Sequence, residues 1–168
     1  MPKEAQSASP KLSPELPSLD CACATVRRTA HLVTQLYAQE MAPDVEPTQF
    51  ALLAAFHARP GIAQTALGRA LGLDKTTLSR NLSLMRRNGW IAVGDGKRHQ
   101  LTPAGEQLLC ATRPGWMRAQ QKLRSALAQG EWETTLKVLG LVATAARSAL
   151  RATEKTPQET YPNSGINC

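Results

Sequence analysis

A mostly α-helical fold with one short β-hairpin is what this sequence predicts, on three observations. Aromatic residues make up only 4% of the 168 residues, and the apolar content rests on Ala, Leu and Val, a mix that suits helices better than a sandwich or barrel. Apolar residues recur at helical spacing through most of the chain. Between Trp90 and Leu101 that period gives way to two short runs around a glycine-containing turn. The length allows one domain with a real core.

The elements follow in order. Residues 1–18 carry Pro2, Pro10, Pro14 and Pro17 among serines and have little to bury, so they read as a disordered tail. Residues 155–168, with Pro157, Pro162 and Gly165, read the same way, leaving 19–154 as the folded domain. Val26, Ala30, Val33 and Tyr37 place an amphipathic helix over residues 21–40, ended by Pro43. A second helix starts at Pro47 or Thr48, carries Phe50, Leu53 and Ala54 on one face, and stops near Arg59 before Pro60-Gly61.

A short helix over 63–71 then runs into Gly72, the residue best suited to a left-handed helix end. Asp74 stands where an N-cap is needed, and Leu78, Leu82 and Met85 give the next helix one inward face. Two helices joined by so short a turn make a helix-turn-helix. Trp90, Ile91 and Val93 read as a strand, residues 94–97 as a tight turn, and 98–101 as the returning strand, which together form a wing. Thr102 can cap a long helix with Pro103 in its first turn, running to about Ala128, with Trp116, Leu123 and Leu127 on one side and a kink or break expected at Pro114-Gly115. A last helix over 131–153 shows Trp132, Leu136, Leu139 and Ala146 at heptad-like spacing, an apolar stripe that needs a partner. The expected fold is therefore a winged helix-turn-helix with N- and C-terminal dimerisation helices (21–42 and 103–153) around a DNA-binding lobe (47–102).

The formal charge of +7 points to a polyanionic partner. From Arg69 through Arg98, seven basic residues face only Asp74 and Asp95, which singles out one segment as the basic surface. If the helix after Asp74 enters a major groove, Lys75, Thr76, Thr77, Ser79 and Arg80 face outward, with Ser83 and Arg86 beside them. Short hydroxyls permit close approach, and an arginine can contact guanine O6 and N7 together. Gln64 and Thr65 open the preceding helix, where free backbone N–H groups suit phosphate contacts. Lys97 and Arg98 at the wing suit phosphate or minor-groove contacts. The plainer alternative is a solvated polar face, and Trp90 and Trp116 are read as core rather than as stacking platforms.

The order of elements, with Pro-Thr-Gln-Phe-Ala-Leu-Leu at 47–53, the run from Asp74 to Ile91, and Leu-Thr-Pro-Ala-Gly at 101–105, resembles the MarR family of bacterial regulators over residues 21–153. That resemblance implies a dimeric, sequence-specific DNA-binding transcription regulator. Repression is the expected sign, with release from a pseudo-palindromic operator by a small-molecule or redox signal. Wings of the family usually carry more residues and an Asp-x-Arg pattern. Here only residues 94–99 separate the strand around Trp90 from Leu101, and Arg98 is the candidate for the minor-groove arginine.

Cys21 and Cys23 lie at a helix start, with Arg27 one turn beyond Cys23, and together with Cys110 they are candidates for redox sensing. Some members of the family sense peroxides through an N-terminal cysteine. The alternative is that these small thiols pack in a dimer interface. The four cysteines lack metal-finger spacing, and Cys23 and His31 lie roughly 12 Å apart by helical rise, so neither a metal nor a cofactor is expected. His31, His57 and His99 have no matching nucleophile and carboxylate, and no glycine loop cradles phosphate, which argues against an enzyme. No apolar run approaches the roughly 18 residues of a membrane span and no signal core precedes the first helix, so the expected location is the cytoplasm. The expected partners are double-stranded DNA, a second copy of the chain and a small-molecule inducer. Two other readings compete with sequence-specific regulation: a winged-helix protein-interaction module, and a non-specific architectural DNA binder.

Overall fold

A computed structural model of the chain describes residues 21–41, 43–94 and 98–153. Both expected tails lie outside the described residues, as does Lys97. The elements are α1 (Ala22–Glu40), α2 (Pro47–Ala58), α3 (Gln64–Leu71), α4 (Lys75–Arg87), β1 (Ile91–Val93), β2 (His99–Leu101), α5 (Pro103–Ser125) and α6 (Glu131–Thr153). They fall into two compact units, one up to Gln120 and one from Gln121 onward.

The first unit is built around α2, whose Leu52, Leu53 and Phe56 are fully buried together with Leu67 of α3, Met85 of α4 and Ile91 of β1. Removing such side chains typically costs about 2–5 kcal/mol each, so this cluster fixes how α3, α4 and the hairpin are presented. Pro47 stands in the first turn of α2, and the Gln49 side chain reaches back to accept from the Glu46 N–H at 3.1 Å. Phe50 stacks on Trp116 of α5 with ring centroids 5.7 Å apart, and Trp90 packs against the same core, so both tryptophans are core-facing as expected.

Between α3 and α4 the chain turns on Gly72, which adopts φ +66° and ends α3 in the left-handed region. Gly68 gives α3 room here, because a β-carbon on it would lie 3.1 Å from the Leu73 carbonyl. Asp74 then caps α4, accepting from the Thr77 N–H at 2.9 Å. β1 and β2 pair antiparallel, with Ile91 opposite Leu101 and Val93 opposite His99. Thr102 closes the hairpin onto the helices: its hydroxyl donates to the Gly89 carbonyl at 2.6 Å and accepts from the Gly105 N–H at 3.1 Å.

Three details differ from the sequence expectations. Trp90 and Arg98 fall just outside the strands, and α5 ends at Ser125 rather than near Ala128. α5 also runs unbroken through Pro114. Proline removes one intrahelical donor, but the adjoining Gly115 is buried and Trp116 stacks on Phe50, so tertiary packing holds the helix together where the local rule predicts a break.

In the second unit Gly130 takes φ +82° before α6, and Glu131 accepts from the Ala128 N–H at 2.7 Å. Arg124 donates to Glu133 at 2.9 Å. No residue of α6 is buried, and Leu136, Leu139, Leu141 and Leu150 lie exposed along it.

Candidate nucleic-acid interface

α4 owes its two faces to its sequence. Leu78, Asn81, Leu82 and Met85 are buried, while Lys75, Thr76, Ser79, Arg80, Ser83, Arg86 and Arg87 are exposed. The helix itself contains no acidic residue, and the carboxylate of its cap is already engaged by the Thr77 backbone and hydroxyl, at 2.9 and 2.7 Å. Those hydrogen bonds, the backbone one foremost, hold the Asp74 carboxyl below its ordinary pKa. The exposed face therefore carries hydroxyls and cations, the chemistry that reads base edges and phosphates.

The expected contact residues are not all equally free. Thr77 is half-buried, its hydroxyl spent on Asp74 and its carbonyl accepting from the buried Asn81 amide at 2.9 Å. Gln64 and Thr65 open α3 and are exposed, but the Gln64 amide nitrogen lies 3.4 Å from Nδ1 of His99. Arg98 is exposed at the base of the wing and donates to the Gly61 carbonyl at 3.1 Å, tying the wing to the turn between α2 and α3. A β-carbon on Gly61, whose φ is +72°, would lie 3.5 Å from Arg98 Cδ.

His99 is the residue that sequence reasoning passed over. It is buried on β2, its ring 6.2 Å from that of Phe56, centroid to centroid. Burial first, and then the Arg86 guanidinium, lower its pKa. The signal available in the sequence was its alternation with Gln100 and Leu101 in the returning strand.

The candidate sensor thiols lie elsewhere. Cys21 is the N-cap of α1 and Cys23 its second residue, both free and exposed, and Cys110 is free and exposed on α5. Cys21, Cys23, Arg27, Arg28 and His31 border an open recess of about 610 Å³.

A basic, acid-free helix in a helix-turn-helix, followed by a pinned hairpin, defines a winged-helix DNA-binding regulator. The family model described as MarR family matches residues 44–100, from the approach to α2 through the wing. Transcriptional regulator HosA from Escherichia coli O157:H7 is 34% identical over 103 residues, covering 54% of this chain and 76% of HosA. The crystal structure of MosR from M. tuberculosis in complex with DNA superposes with TM-score 0.69 at 31% identity, over 77% of this chain and 99% of that one. PcaV from Streptomyces coelicolor, in complex with its natural ligand, superposes with TM-score 0.70 over 78% of this chain and 97% of that one, and at 24% identity it speaks for the fold alone. The chain belongs to the MarR family of transcription regulators.

Proposed function

We propose that the chain works as a homodimer that binds a pseudo-palindromic operator, represses transcription there, and is released by a small-molecule or redox signal. The observation that carries this reading is the outward face of α4. Lys75, Thr76, Ser79, Arg80 and Arg86 stand exposed on a helix without a carboxylate, and the one acid at its start is engaged. Arg80 is the residue assigned to base reading. Lys75, Gln64 and Thr65 are assigned to phosphates, with Lys97 and Arg98 added from the wing. The exposed apolar residues of α6 support the dimer, since a two-fold partner would cover them and set two recognition helices about one DNA turn apart. Among the described residues no helix is long and apolar enough to cross a membrane, in keeping with a regulator that meets DNA in the cytoplasm.

The test is selection of bound duplexes from random genomic fragments against excess bulk DNA. The wild type is expected to retain a discrete sequence. Arg80→Ala should then cost roughly 1–3 kcal/mol and blur the preference, whereas Lys97→Ala should weaken all duplexes alike and lower the salt slope. Equal retention of every fragment by the wild type would make the protein an architectural binder. Retention of none would leave the protein-interaction module.

A further inference from the structure

We propose that the recess between the wing and α4 is a seat for one phosphate of a DNA strand, formed by Gln64, Ser79, Ser83, Arg86 and His99. The inference rests on the DNA-binding reading above and adds to it a defined anion site and His99.

The recess measures about 140 Å³, and its lining is completed by Leu82. Its polar groups come from three elements: Gln64 is the first residue of α3, Ser79, Ser83 and Arg86 follow one another along a flank of α4, and His99 belongs to β2. All five can donate hydrogen bonds, one carries a fixed positive charge, and none is a carboxylate. A metal ion would find neither carboxylate nor thiolate there and would be repelled by the guanidinium. A tetrahedral oxyanion would find donors on several sides, with the guanidinium supplying the charge-assisted ones. The volume suits a phosphate group rather than a nucleotide. Ser79 and Ser83 also belong to the exposed face of α4, so a strand whose bases meet Arg80 would carry its backbone along this flank.

His99 gives the seat a signature. Among the described residues, Arg86 on α4 faces it across the recess, and Arg98 of the wing borders a second recess beside it. α2 presents Phe56, α3 presents Gln64, and the strand partner is Val93, none of them ionisable. The neutral ring can accept from the Gln64 amide, and on protonation that amide can turn to offer its oxygen. In the free protein, burial and Arg86 both oppose protonation. A phosphate between guanidinium and imidazole would reverse the second effect and attract a proton. DNA binding should therefore take up a proton at His99, and affinity should rise as pH falls through the pKa of the bound form, levelling off below that of the free form.

The full chain, titrated by fluorescence anisotropy with a duplex recovered in the selection above, tests this between about pH 8 and pH 5.5. Wild-type affinity should rise on acidification, approaching at most about tenfold per pH unit for each proton taken up, one per half-site. His99→Gln should flatten the profile. Because His99 is buried and its variant could disturb the core, the exposed Arg86 supplies a second arm. Arg86→Gln should lower the slope of log affinity against log salt by about 0.9 for each half-site, about 1.8 for the dimer. A neutral methylphosphonate at one position per half-site should cost the wild type the same factor and cost Arg86→Gln nothing further. Affinity independent of pH or falling on acidification, or the absence of any phosphate position coupled to Arg86, would overturn the proposal. Inorganic phosphate, titrated against the His99 ring resonances without DNA, separates the sources: a response there with a silent methylphosphonate scan would assign the seat to a free oxyanion and refute the DNA assignment. If no duplex is selected at all, the DNA reading itself has failed, and the same titration reports whether the recess holds an anion.

Discussion

Gly115 in α5 lies directly against the backbone carbonyl of Glu40 at the end of α1, so closely that no β-carbon fits between them. A β-carbon there would also lie 2.9 Å from Met41 Cα. Arg118 reinforces the contact, donating to the same Glu40 carbonyl at 2.8 Å and to the Glu40 carboxylate at 3.3 Å. The end of α1 is thus seated on α5 by a glycine that makes room and an arginine that holds it.

The first prediction follows from that seat. Glycine to alanine inside a helix ordinarily stabilises by roughly 0.5–1 kcal/mol, but at position 115 the obstructing atoms are backbone and cannot rotate away. Gly115→Ala should instead destabilise the fold by about 1–3 kcal/mol, read from denaturant unfolding. A variant more stable than the wild type would show that the two helices part without cost.

A second prediction concerns the cap of α4. Its hydrogen bonds with Thr77 lower the Asp74 pKa from an ordinary value of 3.8. The folded-state value thus lies below the unfolded one, so the stabilisation is present above pH 3.8 and is lost as pH falls through the folded pKa. Asp74→Ala should melt lower than the wild type at neutral pH, and the gap in Tm should close as the solution is acidified below the ordinary carboxylate range. A gap that does not change with pH would mean that the charge of Asp74 contributes nothing.

How much of this was legible in the sequence depended on the range of the forces involved. Gly72, Asp74 and the Leu78, Leu82, Met85 spacing are local signals, and the turn, cap and buried face all stand where those signals put them. Thr102 and Pro103 likewise mark the start of α5. Pro114-Gly115 misled because the glycine answers to Glu40, a partner distant in the chain, and not to its own helix. Thr77 counted as an outward hydroxyl although its spacing from Asp74 suits a reciprocal cap contact. The Gln64–His99 and Arg98–Gly61 pairs could not be read at all, because hairpin register and the packing of the wing on α2 and α3 bring them together.

The third prediction addresses assembly. α6 buries none of its residues and leaves Leu136, Leu139 and Leu150 exposed, apolar area that a second copy would remove from water. Sedimentation equilibrium should give a dimer at micromolar concentration. Leu136→Asp with Leu139→Asp should shift it toward monomer, and operator affinity should fall with it because the two half-sites are no longer engaged together. A wild type that sediments as a stable monomer would refute the two-fold arrangement.

The last prediction tests whether the thiols carry the signal. Cys21 and Cys23 are free and exposed at the start of α1, so a dissolved oxidant can reach both. Cys21 is the N-cap of α1, in extended backbone, and Cys23 is its second residue, so a disulfide between them would have to close across the first turn of the helix. Among the described residues, a bridge that leaves α1 intact would join two subunits or reach Cys110. Arg27 stands one turn beyond Cys23 and borders the same recess, which makes Cys23 the expected point of attack. Its thiolate would take one oxygen from hydrogen peroxide to give a sulfenic acid and hydroxide, and a second thiol would then displace water to close the disulfide. Where α1 helps to set the spacing of two DNA-binding lobes, a bridge there shifts the dimer away from the arrangement that fits the operator. Mild peroxide should therefore release the wild type from its operator, dithiothreitol should restore binding, and Cys23→Ser should stay bound throughout. An equal response from Cys23→Ser would remove Cys23 from the mechanism. No response from the wild type would leave these thiols as packing residues and the small-molecule signal as the remaining route of release.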